Sequence, residues 1–109
     1  MRLVELDPLI GSIGLPYAYY AFNRQTAKAP PYLAYYSPGR TDLLADDTNY
    51  QHKIELTIEL YTKTKRWDLE QLVEATLAEA GLAYGKSEAH VDSDGVFQIT
   101  YTTEVLINE

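Results

Sequence analysis

Ile54, Leu56, Ile58 and Leu60 alternate with Lys53, Glu55, Thr57, Glu59 and Tyr61. A period of two over this length predicts a strand with one apolar and one polar face. The charged run Lys63-Thr-Lys-Arg66 breaks the alternation and predicts a solvated loop. A helix over 68–80 follows. Leu69, Leu72, Val73, Thr76, Leu77 and Ala80 recur at helical spacing and predict one buried stripe, with Glu70, Glu74 and Glu79 facing away. Asp68 stands where a cap is needed, and Gln71, three residues on, completes a capping box. Trp67 and Leu72 flank that start as a hydrophobic staple. Gly81 is placed to leave the helix in the left-handed conformation.

Beyond the helix, Asp92-Ser-Asp-Gly95 predicts a hairpin turn between arms over 82–91 and 96–107. The second arm puts Phe97, Ile99, Tyr101, Val105 and Ile107 on one face, and Gln98, Thr100, Thr102 and Glu104 on the other. In the first half, 3–10 predicts a short helix broken near Gly11 and Gly14; Pro8, tolerated only in a first turn, leaves its start open. The segments 17–22 and 32–36 are aromatic and bounded by proline, which suits edge strands, and 23–29 reads as a loop. Residues 37–49 have no periodicity and contain Pro38-Gly39 and Asp46-Asp47. They read as a long loop, mobile in the free subunit; loops of that length in a small domain usually carry function. Strands clustered around one good helix predict an α+β fold, a mostly antiparallel sheet with the 68–80 helix on one face. No repeat or boundary divides the 109 residues, so a single domain over 1–109 is expected.

Composition changes this picture in three ways. Ten residues are tyrosine, against two Phe and one Trp, and tyrosine suits half-buried strand surfaces and protein contacts. The formal charge of −7 argues against a broad electrostatic grip on nucleic acid or anionic lipid. The absence of cysteine excludes a disulfide framework, a thiolate metal site and a cysteine nucleophile. No apolar run approaches the ~20 residues of a membrane helix. An acid and a proline stand where a signal peptide has its apolar region, so an unexported, soluble protein is expected.

The search for reaction chemistry is negative. GxSxG, GxGxxG, P-loop and HExxH patterns are missing, and Ser12, Ser37, Ser87 and Ser93 lie in turn-like settings. His52 and His90 have no metal spacing. Asp92 and Asp94 resemble the start of a calcium loop but lack its third ligand and closing glutamate. No catalytic, cofactor-binding or metal residue is assigned, and a non-enzymatic protein without a cofactor is expected. The candidate residues are assembly contacts instead. Lys63, Lys65 and Arg66 are too few for a nucleic-acid site; they are a solvated loop or face an acidic neighbouring subunit. Arg40, Asp42, Asp46 and Asp47 surround Leu43 and Leu44 in the 37–49 segment. Two adjacent leucines there either fold back on the core or press against the next subunit, where burial is worth roughly 1.5–3 kcal/mol per side chain.

One likeness spans nearly the whole chain. Its segments are Ile13-Gly-Leu-Pro-Tyr-Ala-Tyr-Tyr-Ala-Phe22, Ala29-Pro-Pro-Tyr-Leu-Ala-Tyr-Tyr36, Ala45-Asp46 followed by Tyr50, Ile58-Glu-Leu-Tyr-Thr62, the 68–80 helix, Gln98-Ile-Thr-Tyr101 and Glu104-Val105. In order and spacing they resemble the minor tail proteins of long-tailed phages and prophages of Gram-positive bacteria, which in turn resemble tail-completion, or tail-terminator, proteins. The resemblance implies a virion part with no catalytic residues: a ring, typically a homo-hexamer, at the head-proximal end of the tail. Such a ring ends growth of the major tail-tube protein and joins a head-closure or connector protein, enclosing DNA without binding it specifically. It also implies an α/β sandwich of a sheet with flanking helices. A domain of this size approximates a sphere ~34 Å across; six in a ring leave a hole of ~34 Å, and three only ~5 Å. Other readings are a head-closure or stopper protein, or a Tyr-rich adaptor domain binding a cellular protein.

Overall fold

The alternation at 53–61 is the middle of a strand longer than the pattern marks. A computed structural model of the protein describes residues 1–20, 29–45, 49–91 and 95–107, with the backbone alone for 41–45 and 49–52. A 3-10 turn, Leu3–Glu5, runs into α1 (Leu6–Gly11). Then come β1 (Tyr17–Tyr19), β2 (Tyr32–Tyr36), β3 (Arg40–Ala45), β4 (Asn49–Thr62), α2 (Trp67–Glu79), β5 (Tyr84–Val91) and β6 (Val96–Ile107). The sheet order is β1-β2-β4-β6-β5, with β3 also on β4. Only β1 runs parallel to its neighbour.

β4 is the spine. One side pairs with β6 from His52↔Ile107 to Thr62↔Phe97. The other side is shared, with β2 at 57–61 and β3 at 49–54. Ile54, Leu56, Ile58 and Leu60 of β4 meet Ile99, Tyr101, Val105 and Ile107 of β6 in one core. Leu69, Val73 and Leu77 of α2 and Leu6 and Ile10 of α1 close that core from the same face of the sheet. The fold is therefore α+β, mostly antiparallel, with the main helix packed on one face and a short helix near the N-terminus.

Three expectations need correction. Residues 40–45, expected within a loop, are strand β3, in register from Arg40↔Ile54 to Ala45↔Asn49. Ladder pairing to an already regular partner defines this strand. Arg-Thr-Asp-Leu-Leu-Ala lacks the alternation that marks a half-buried strand, so the pattern did not show it. Asp46 and Asp47 lie outside the described residues.

The start of α2 is also different. Trp67 is its first residue, and Arg66 at the N-cap makes no side-chain cap. The Asp68 carboxylate is taken by Arg66 instead, which donates Nε–H at 3.0 Å and Nη2–H at 2.9 Å. No staple forms: Trp67 and Leu72 are both exposed. The buried stripe is Leu69, Glu70, Val73 and Leu77, rotated away from Leu72 toward Glu70. The end is as expected. Gly81 has φ +75°, its N–H reaches the Ala78 carbonyl at 3.0 Å, and the Leu82 N–H reaches Leu77 at 2.9 Å.

The third correction concerns the second face of β4. Thr57 and Glu59, expected in water, are 6% and 8% exposed. Tyrosines flank them, as described below.

Candidate functional site

The β3–β4 ribbon leaves the sheet as an arm. Its last register pairs are Leu43↔Gln51, Leu44↔Tyr50 and Ala45↔Asn49, whereas among the described residues the β4–β6 ladder reaches His52↔Ile107. Among the described residues, Asn49, Tyr50 and Gln51 therefore pair with β3 alone. The molecule measures 51 × 29 × 23 Å, with a radius of gyration of 15.1 Å. A compact domain of this length has ~13 Å. Leu43 and Leu44 lie in the arm, Asp42 at its base opposite His52, and Arg40 at its root, exposed.

Beside the root is a groove of about 460 Å³ lined by Leu3, Val4, Tyr19, Tyr35, Arg40 and Ile54. Leu3, Val4 and Tyr19 are exposed there. Asp7 also lines it, accepting hydrogen bonds from Tyr17 Oη at 2.9 Å and Tyr35 Oη at 2.7 Å. Burial first, and then this carboxylate, push the Tyr35 phenol above its usual range.

The basic cluster is divided. Lys63 is exposed. Arg66 is held by Asp68. Lys65 pairs with Glu70 at 2.8 Å, pairs with Glu88, and lies over the Trp67 ring, 4.1 Å from its centre. Lys86 of β5 reaches Glu70 at 2.8 Å and Glu74 at 2.9 Å. Glu74 also accepts the Tyr101 hydroxyl at 2.8 Å and the Tyr84 hydroxyl at 3.2 Å. Thus two residues singled out for contact with a neighbour, Lys65 and Arg66, are engaged by this chain's own acids. Burial pushes the Glu70 carboxyl up, but Lys65 and Lys86 outweigh it and hold the group below the usual carboxylate range.

On the opposite face, Glu59 accepts hydrogen bonds from Tyr61 Oη and, at 2.7 Å, from Gln98 Nε2. Tyr32 stacks on Tyr61 at 4.9 Å, and Tyr20 on Tyr36 at 5.1 Å. All tyrosines but Tyr20 stand in strands. Sequence reading missed these carboxylate nests. The available signal was the tyrosine excess with acids on the same strand faces, as at Glu59 and Tyr61.

These groups hold shape more than they offer reactivity. Asp7, Glu59 and Glu70 are each occupied by phenol, amide or ammonium donors. Among the described residues no group of three acids or histidines could hold a metal ion, and His90 packs on Phe97 with ring centres 4.8 Å apart. No described helix is long and apolar enough to cross a membrane. The groove at the root of the arm and the outer edge of β5 are exposed among the described residues. No protein-family model matches the chain, and no curated protein matches it.

Proposed function

We propose that the protein is a structural component of a long-tailed phage: a ring of six copies at the head-proximal end of the tail tube. In this reading it ends tube growth and joins the tail to the filled head. Its partners are further copies of itself, the major tail-tube protein and a head-closure protein. The observation that carries the reading is the ordered likeness of segments from Ile13 to Val105 to the minor tail proteins of such phages. The β3–β4 arm supports it, because a two-stranded ribbon is marginal alone and gains stability by docking on a neighbour. Shape is compatible as well. With the 51 Å axis upright and the 29 Å width around the circumference, six copies leave a hole of roughly 35 Å. The charge of −7 per copy suits a lumen through which DNA passes without being held.

Labelling this protein in purified virions and imaging single particles tests the reading. One sixfold ring between tube and head is expected. Label along the tube, at the tail tip or absent from virions overturns it. A ring that stays on isolated heads and is missing from isolated tails favours the head-closure role.

A further inference from the structure

β5 ends the sheet, and its outer edge carries no strand among the described residues. Residues Tyr84 to His90 are all exposed. Such an edge presents a row of main-chain donors and acceptors and is a template for pairing. Proteins commonly blunt it with an outward lysine. Here the one lysine, Lys86, is drawn back over the sheet by Glu70 at 2.8 Å and Glu74 at 2.9 Å.

We infer that β5 pairs edge to edge with β5 of a second copy of this chain, antiparallel about a two-fold axis through Ser87. The occupant is argued from charge. A two-fold axis normal to the sheet keeps each face on its own side, so residues opposite one another must share a face. Tyr84, Lys86, Glu88 and His90 stand on the helix side, in contact with Tyr101, Glu74, Lys65 and Phe97 respectively. Ser87 and Ala89 lie on the other side with Gly85, whose Cα faces the Thr102 hydroxyl. Centring the axis on Ser87 sets Tyr84 opposite His90, Gly85 opposite Ala89, and Lys86 opposite Glu88, the last pair occurring twice. The two adjacent registers that preserve faces put Glu88 against Glu88 or Lys86 against Lys86, which is repulsive. Charge thus selects one register. Glu88 of each copy then lies beside the other copy's Lys86, at the margin of the cluster that Lys86 forms with Glu70 and Glu74, and two six-stranded sheets become one. Gly85, Ser87 and Ala89 keep the far face of the seam free of bulk.

The contact is isologous and closes after two copies. It does not rest on the tail reading, since a ring needs head-to-tail contacts elsewhere; it describes the free subunit.

The absence of native cysteine makes the register readable. In Ser87→Cys the two thiols sit directly opposite, with Cα atoms ~5 Å apart, within the ~7 Å reach of a disulfide. In Ala89→Cys they are offset by four residues, or ~13 Å, and cannot bridge. Under mild oxidation Ser87→Cys should run at twice the chain mass without reductant, and Ala89→Cys at the chain mass. Equal cross-linking of both, preference for Ala89→Cys, or none in either overturns the proposal. Glu88→Lys, at an exposed position, is the second arm. It should fold with an unchanged circular-dichroism spectrum and weaken dimerisation about tenfold by sedimentation, through two new Lys–Lys oppositions. An unchanged dimer constant, or a wild-type chain that sediments as a monomer at high concentration, equally overturns it.

Discussion

Glu70 is 2% exposed between α2 and the sheet, and its charge survives there because Lys65 and Lys86 both reach it. Its folded pKa is lowered, as is that of Glu74. The stability they contribute is complete above the unfolded carboxyl value of about 4.3 and is lost as pH falls through the lower folded values. Thermal melts from neutral to acid pH should therefore show a steep loss below about pH 4 that is shallower in Glu70→Gln. Tyr35, Tyr61 and Tyr101 behave in the opposite sense. Burial first, then a nearby carboxylate, raise their phenols. Stability from them is full below about pH 10 and lost as pH rises through the folded values, so the last phase of tyrosinate absorbance, from these three residues, and loss of circular dichroism should coincide. If the phenols ionised well before unfolding, the nests around Asp7, Glu59 and Glu74 would be misassigned. Burial of Glu70 was not legible in a hydrophobic stripe, because its partners come from a loop and from β5. The stripe named Leu72, which is 47% exposed, and Leu77, which is fully buried. Chemical denaturation should separate them: Leu77→Ala costs about 2–5 kcal/mol and Leu72→Ala under about 0.5 kcal/mol.

Among the elements, those with one apolar face announced themselves. β4 and β6 alternate because their faces differ, and α2 ends at Gly81 because the left-handed step requires it. β3 did not, because its pairing is main-chain and its sequence carries no period. That difference has a kinetic correlate. Residues 54–60 of β4 have ladders on both sides over much of their length, whereas Asn49 to Gln51 pair with β3 alone among the described residues. Amide exchange in the isolated subunit should be faster at 43–45 and 49–51 than at 56–60. Equal protection would mean that the arm is already packed against something. In the proposed assembly the same arm is the docking element. Replacing Leu43 and Leu44 together by serine should leave the melting temperature within a few degrees, yet yield overlong tubes or tails that fail to join heads. Normal tails from that variant would remove the arm from the assembly contacts.

At the scale of the molecule, the α+β architecture was readable because one face of the sheet is apolar and one helix has a matching stripe. The candidate surfaces were less so. Lys65 and Arg66 looked available as a sequence cluster but are spent on Glu70, Glu88 and Asp68, contacts between segments that local spacing cannot reveal. The length of β4 has a mechanical consequence. Fourteen residues at ~3.3 Å each make a beam of ~46 Å, close to the 51 Å long axis, and every other long strand is fastened to it or to its neighbour. Ladder hydrogen bonds lie across the strands, so a pull on the arm along β4 loads its bonds to β2 and β6 together, in shear. A pull across the arm loads them one at a time, as in a zipper. The protein is therefore stiff toward tension along β4 and yields first to sideways peeling of the β3–β4 ribbon.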